Sequence, residues 1–438
     1  MSEPVLPGDA TVRSTAEALD AADSLAHFRD QFYIDDEDVC YLDGNSLGRL
    51  PFGTVSAVGE FMNDEWGAEA VDGWSHWVDE AGTVGDVLAA TALGTGPGQT
   101  LVCDTTSVNL YQIVGAAIRA NSGRKTIIID SANFPTDRYI VQGLAEANGM
   151  KLVTLDNDGS GGPGAAPIDT LDERITADAL EPFLTDDVAV ITLQAVQYRS
   201  GARSDIKAIN DLARSRGIFV VWDCAHAIGS IELDFDANGV DLAVGCTYKY
   251  GNSGPGAPAW LFVRKGLQAV LQPPIQGWFA QDDQFAMGPI FKPTDTIRRF
   301  QIASPSIMGL RSVQIAFDMI GEAGISAIAR KAELGTEMMI RLVDEWLVPL
   351  GFRLGTPREA LHRGGHITVH HPDAKQIALA MRTVSKVIPD FRMPDGIRMA
   401  MAPLPTSFVE VWDGLARTRD LVASGDYRSV TNEGNRVT

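Results

Sequence analysis

The chain reads as an α/β protein, with a large doubly wound domain on a mostly parallel sheet followed by a smaller α+β C-terminal domain. Three observations predict this. From about residue 85 to 265, short apolar runs rich in Val and Ile alternate with helical stretches, the pattern of strands buried on both faces by crossover helices. Two of these runs stop on polar residues: 218–222 on Asp223, and 240–245 on Cys246 and Thr247. In open parallel sheets, chemistry collects at the carboxyl ends of strands. After Pro305 the alternation gives way to two long helical stretches, then short strands spaced by helices. A length of 438 residues exceeds what one small core organises. The expected division is an N-terminal segment over 1–50, packed with the small domain, a large domain over 51–305 and a small domain over 306–438.

The elements follow in order. Residues 14–32 place Ala18, Leu19, Ala22, Leu25 and Phe28 at helical spacing and predict one amphipathic helix. Residues 39–42 form a short strand, Asp43-Gly-Asn-Ser-Leu-Gly48 a turn, and Pro51 opens a helix. A helix over 83–94 closes at Gly94, and a strand covers 100–103. The Thr/Ser cluster containing Thr106 and Ser107 then runs into an apolar helix. Such a start is either a plain N-cap or a phosphate cradle, where amides, hydroxyls and the helix dipole converge on an anion. A strand over 125–130 leads through Asn133-Phe-Pro-Thr-Asp137 to a helix from Arg138. Strands follow at 151–155 and 188–193, separated by a glycine-rich surface insertion over 157–167 that lacks the Gly-Lys-Ser/Thr of a P-loop. A helix over 205–216 delivers the chain to the strand ending at Asp223. Beyond 305, helices cover 306–348, 376–385 and 408–423, strands cover 366–371 and 398–402, and the polar tail after Tyr427 frays.

Composition narrows the function classes. A net charge of −21 argues against nucleic acid, whose phosphates need clustered Lys and Arg. No apolar run approaches the ~20 residues of a membrane helix, and the first residues lack the basic start and apolar core of a signal peptide. A cytoplasmic protein is expected. Cys40, Cys103, Cys224 and Cys246 form no C-x-x-C pair and no zinc-like cluster with His, so no metal is expected and buried free thiols are.

The chemistry centres on Asp223 and Lys249. At the ends of neighbouring strands, Asp223 would face the cation of a heteroaromatic ring and Lys249 would form a Schiff base. Alone, Asp223 could equally cap a helix from Ala225, and Lys249 could be a snorkelling surface residue. His226 is either a ligand-facing group or a satisfied core histidine. Phe134 offers a ring face to a planar group, or packs under its loop. Arg398 has the fork that grips a carboxylate, though a lone strand arginine is often a surface charge.

Together, D-x-A-H-A-x-G from Asp223, T-Y-K-Y-G-N-S-G-P-G-A-P-A from Thr247 and G-N-S-L-G from Gly44 resemble the kynureninases. These belong to the fold-type I pyridoxal-phosphate (PLP) enzymes, and the likeness runs from about 40 to 420. It implies bound pyridoxal 5'-phosphate on Lys249, with Asp223 at the ring nitrogen and His226 near the ring's phenolic oxygen. Thr106, Ser107 and Tyr248 would hold the phosphate, with Tyr248 also a candidate acid. Phe134, Asp137 and Gln194 would complete the cofactor pocket. Arg398, with Asn45, Ser46 and Ser304, would bind a small amino-acid substrate. Trp278 and Ser304 would reach the phosphate of a neighbouring subunit, so a homodimer with active sites at the interface is implied. The implied reaction is hydrolytic Cβ–Cγ cleavage of kynurenine to anthranilate and alanine. Gln194, Ser304 and Pro405 depart from the usual pattern. They raise the alternative of a relative with an altered pocket, such as a β-lyase or a decarboxylating deaminase.

Overall fold

The computed structural model describes residues 4–168 and 173–430. Its centre is an eight-stranded sheet. From one edge the strands are Thr100–Val102, Trp260–Val263, Leu242–Gly245, Phe219–Asp223, Val188–Gln194, Thr126–Asp130, Lys151–Asp156 and Ala166–Pro167. Only Trp260–Val263 runs against its neighbours. The central strands are buried along their whole length, as their unbroken Val/Ile runs require. One face packs against Leu110, Ile113 and Val114 of the helix Thr106–Ala120. The other is covered by a core containing Trp222, Trp260, Leu88 and Leu310.

The smaller sheet orders Arg353–Leu354, His366–His370, Gly396–Ala400 and Asp390–Arg392, all antiparallel. Helices Ile325–Leu342 and Ala374–Thr383 pack on it. Ala16, Leu19 and Leu42 from the start of the chain join its core, and Cys40–Tyr41 pairs in parallel with Val387–Ile388. Phe28 and Phe32 instead enter the core of the large sheet.

Two expectations change, and a third is met with a proposal. The amphipathic stretch 14–32 is two pieces, the helix Arg13–Ala22 and a 3₁₀ turn Ala26–Gln31. Asp23 separates them because its carboxylate takes the Leu25 amide at 2.9 Å and pairs with Lys331 at 2.7 Å, a local bond that competes with the helix ladder. The glycine-rich insertion is not all surface. Asn157 is buried and caps the Ala132 amide, Asp158 ion-pairs with Arg199, and Ala166–Pro167 adds the sheet's last strand. Finally, helix Ile307–Ala323 packs on Phe52–Glu60 and Glu80–Leu88, inside the large sheet's core. We propose that the domain division falls near Gly324 rather than at 305. Of the tail expected to fray, residues 431–438 lie outside the described residues; Tyr427 itself is buried and donates to Asp373.

Candidate active site

Gln194 and Asp223 end adjacent parallel strands and are register partners, so both side chains leave the sheet at one edge. Gln194 Nε2 donates to Asp223 Oδ2 at 3.2 Å, and its Oε1 accepts from Tyr198 N. The other Asp223 oxygen accepts from Ala225 N at 2.9 Å. Residues 225–230 form turns and no helix, so Asp223 closes an Asx-type turn and is not a helix cap. Lys249 follows the next strand, and its Nζ stands 2.9 Å from His226 Nε2.

Above these residues lies a cavity of about 340 Å³, lined by Ser46, Thr106, Ser107, Phe134, Asp137, Gln194, Asp223, His226, Tyr248, Lys249 and Arg398. Thr105 caps the helix at one wall, accepting from Val108 N; the remaining first-turn amides are not spent on the helix and are free for an anion. Phe134 stands edge-on to Tyr198 with ring centres 5.2 Å apart. Asn45 is buried behind the cavity. With its amide oxygen turned inward it accepts from Arg398 Nε and Nη2 at 3.2 and 3.3 Å. Trp278 and Ser304 are exposed and do not line the cavity in this chain, and neither does Pro405.

The two ends of the cavity carry opposite charge. At the sheet edge, burial holds the Asp137 carboxyl well above its usual range, and the Asp223 carboxylate adds to that while Lys249 opposes it. Asp137 Oδ2 is buried without a hydrogen-bond partner. A protonated ring nitrogen would ease the crowding of negative charge between Asp223 and Asp137, so these residues fit a pyridinium cofactor. At the other end, Arg398 donates through Nε to Asp390 Oδ2 at 2.7 Å, and through Nη2 to Ser46 at 3.0 Å. Arg392 reaches the same Asp390 oxygen at 3.0 Å. Burial, then Asp390, pushes Asp43 up to about 6, and Arg382 stands 3.5 Å from it. Three guanidiniums answer two carboxylates, which leaves this corner positive toward the cavity.

The turn over 43–48 joins the two ends. Gly48 N donates to Tyr248 O at 2.8 Å, and a Cβ there would come within 2.6 Å of Asn252 and the Lys249 carbonyl. Its glycine is required by this close approach. All four cysteines are buried and free. Among the described residues one group, Glu65, His76 and Glu80, brings potential metal-ligand atoms within 4.8 Å of one another, but Arg311 already pairs with both carboxylates.

Residues 328–417 match the family described as the kynureninase C-terminal domain. The kynureninase of Pseudomonas fluorescens is 34% identical over 413 residues, covering 92% of this chain and 94% of the relative. That of Deinococcus radiodurans is 35% identical over 407 residues, covering 91% and 94%. The chain belongs to the kynureninase family. Its fold is that of the fold-type I PLP enzymes. A solved structure of a C-DES mutant, with glycine covalently linked to its PLP cofactor, superposes with a TM-score of 0.72 at 16% identity, over 88% of this chain and 97% of that one. No helix among the described residues is long and apolar enough to cross a membrane.

Sequence reasoning missed several residues around this kynureninase-family site. Asp390 and Arg392 build the positive corner. The register Asp390↔Arg398 in an antiparallel pair was signalled by Pro394-Asp395-Gly396, a hairpin turn. Asp130, fully buried, accepts from Asn133, Asn157 and Gln197 and anchors the loop bearing Phe134. His366 and Tyr198 carried no local signal, since each gains its meaning only from a neighbour far away in sequence.

Proposed function

We propose that this protein is a PLP-dependent kynureninase that hydrolyses kynurenine, with one water, to anthranilate and alanine. The observation that carries the reading is the single cavity holding Lys249, the paired acids Asp223 and Asp137, and the Arg398 corner at its opposite end. Pyridoxal phosphate supplies an electron sink for charge developing at the substrate's α-carbon. Lys249 Nζ would hold the cofactor through its aldehyde, and its amine would carry the substrate's α-proton. Asp223 keeps the ring nitrogen protonated, and Gln194 holds that carboxylate in place. Thr106, Ser107 and Tyr248 would take the phosphate, Phe134 would cover a ring face, and His226 would lie near the phenolic oxygen, since all of them line the same cavity. The phenol of Tyr248, raised by the neighbouring Cys246 sulfur and by burial, stays protonated and can serve as an acid. Arg398, set by Asp390, Asn45 and Ser46, receives the substrate's α-carboxylate.

Trp278 and Ser304 are exposed in this chain. We read them as a contribution to the site of a second copy, so the working unit is a homodimer. The altered-pocket alternative has no comparable support: Gln194, the departing residue that lines this chain's cavity, spends its amide on Asp223 and Tyr198, and the relatives it matches along most of its length are kynureninases.

The test is turnover of kynurenine by the purified protein, followed by the fluorescence of anthranilate and by mass spectrometry of alanine. Lys249→Ala is expected to lose turnover and the absorbance of the lysine–cofactor linkage together. A variant that still yields a borohydride-reducible linkage, or a wild-type protein that releases no anthranilate, overturns the reading.

A further inference from the structure

A second imidazole stands behind the one that touches Lys249. His366 opens a strand of the small domain and is completely buried, as His226 nearly is. The two rings lie 5.4 Å apart, centre to centre, and tilted by 53°. Each ring has one nitrogen engaged. His226 Nε2 meets Lys249 Nζ at 2.9 Å, and His366 Nδ1 meets the Tyr250 hydroxyl at 3.4 Å. Each also has one buried nitrogen without a partner: Nδ1 of His226 and Nε2 of His366. Buried polar atoms are seldom left so, and an explanation is owed for each.

The tautomers supply one. An amine donates to His226 Nε2, so the proton of a neutral His226 sits on Nδ1, where it is a donor in need of an acceptor. Burial keeps the Tyr250 phenol protonated, and its oxygen can accept from His366 Nδ1–H. His366 Nε2 is then an acceptor in need of a donor. The two orphans are complementary and sit on neighbouring rings, not hydrogen-bonded to each other as the rings stand.

Both rings are also held neutral. Burial, then the charges of Lys249 and Arg398, lower His226 far below its usual range; burial, then Arg398 and Lys249, do the same to His366 against a hydrogen bond to the Tyr198 backbone. Two glycines make the close packing possible. A Cβ at Gly365 would stand 3.1 Å from the Tyr250 ring and hydroxyl, and one at Gly201, where φ is +76°, would stand 2.6 Å from the His366 carbonyl.

We propose that His366 is a positioning residue for Lys249: from the small domain it accepts the Nδ1 proton of His226, which fixes His226 in the tautomer whose Nε2 receives the lysine amine. A ring nitrogen becomes a better acceptor when its opposite N–H is hydrogen-bonded. The chain Tyr250–His366–His226–Lys249 therefore ties the position of the small domain to the reacting amine of the large one. The inference rests on the reading of Lys249 as the cofactor-binding lysine.

The test compares the holoenzyme with His366→Phe, which keeps a ring and loses both nitrogens, and with Tyr250→Phe, which loses only the hydroxyl. With His366→Phe, kcat is expected to fall at least tenfold while KM stays within twofold. The midpoint of the spectral pH titration of the lysine–cofactor linkage should move down by half a unit or more, because a less basic Nε2 holds a protonated nitrogen of Lys249 less well. Tyr250→Phe should move it the same way by less. In the cofactor-free wild type, nitrogen-15 spectra of the seven histidines should show His226 and His366 both neutral with protons on Nδ1. A folded, cofactor-loaded His366→Phe with unchanged kcat and midpoint overturns the proposal, and so does a proton on His366 Nε2. Should His366→Phe fail to fold, Tyr250→Phe and the nitrogen-15 spectra still decide. Absence of any cofactor linkage in the wild type would sink the functional reading instead, and the histidine tautomers would remain readable without it.

Discussion

The two ends of the cavity are built in different ways. The end at the large sheet is made of neighbours: Gln194 and Asp223 are register partners, and Lys249 follows the next strand over. The end at the small domain is made of strangers. Ser46 and Arg398 meet across 352 positions, and Asp390 reaches Ser46 across 344. The first end is acidic and suits the cation of a cofactor ring. The second is positive and suits a carboxylate. On the proposed function, a substrate held between them would be oriented by these charges, with its α-carbon between cofactor and anchor. Chemistry is thus placed by sheet topology, and recognition by the docking of a second sheet.

Breaking the acidic end should cost the most. Asp223→Asn leaves a ring cation without its buried counter-ion, a loss of ~3–5 kcal/mol, so kcat should fall by roughly 10²–10³-fold or more. The fold should survive, because Asn keeps the acceptor for Ala225 N and gives up only the bond from Gln194 Nε2. Wild-type-like kcat, measured at saturating kynurenine with cofactor content checked by absorbance, would reduce Asp223 to a turn residue.

Breaking the positive end should cost less and show differently. Charge-assisted hydrogen bonds contribute roughly 1.5–3 kcal/mol each, so Arg398→Ala should lower kcat/KM by about 100-fold or more, mainly through KM. The loss should be shared by every amino-acid substrate, since the α-carboxylate is common to all. Steady-state kinetics on kynurenine and a ring-modified analogue check this. A loss confined to one side chain would move the carboxylate site elsewhere.

The last effect is on stability, not on turnover, and it asks whether the acidic end extends beneath the cavity. Burial first, opposed by bonds from Gln197, Asn133 and Asn157, pushes Asp130 from 3.8 up to about 6. A raised acid binds its proton more tightly folded than unfolded, so its contribution is most favourable below the unfolded value and is lost as pH rises through the folded one. Asp130→Asn cannot ionise. Between pH 4 and 7 its stability relative to wild type should therefore rise, by on the order of 3 kcal/mol. Urea unfolding at several pH values measures this, and a difference that stays flat would place Asp130 in a polar pocket able to hold its charge.

The sequence by itself determined the large domain and the floor of the site. Unbroken Val/Ile runs demand burial on both faces, and their polar last residues mark the edge where Asp130, Gln194 and Asp223 emerge. The motifs around Asp223, Lys249 and Gly44 carried the family as well. The tertiary structure alone decided the rest. Asp23 breaks a helix because Lys331 sits beside it, and Ile307–Ala323 belongs to the large core because of what it packs against. Arg398 became a buried, fourfold-engaged guanidinium rather than a surface charge, and His366 gained a role from a ring 140 positions away. Periodicity reports which face a residue turns inward. It cannot report which distant charge or ring will be waiting there, because that depends on how two separately formed sheets dock.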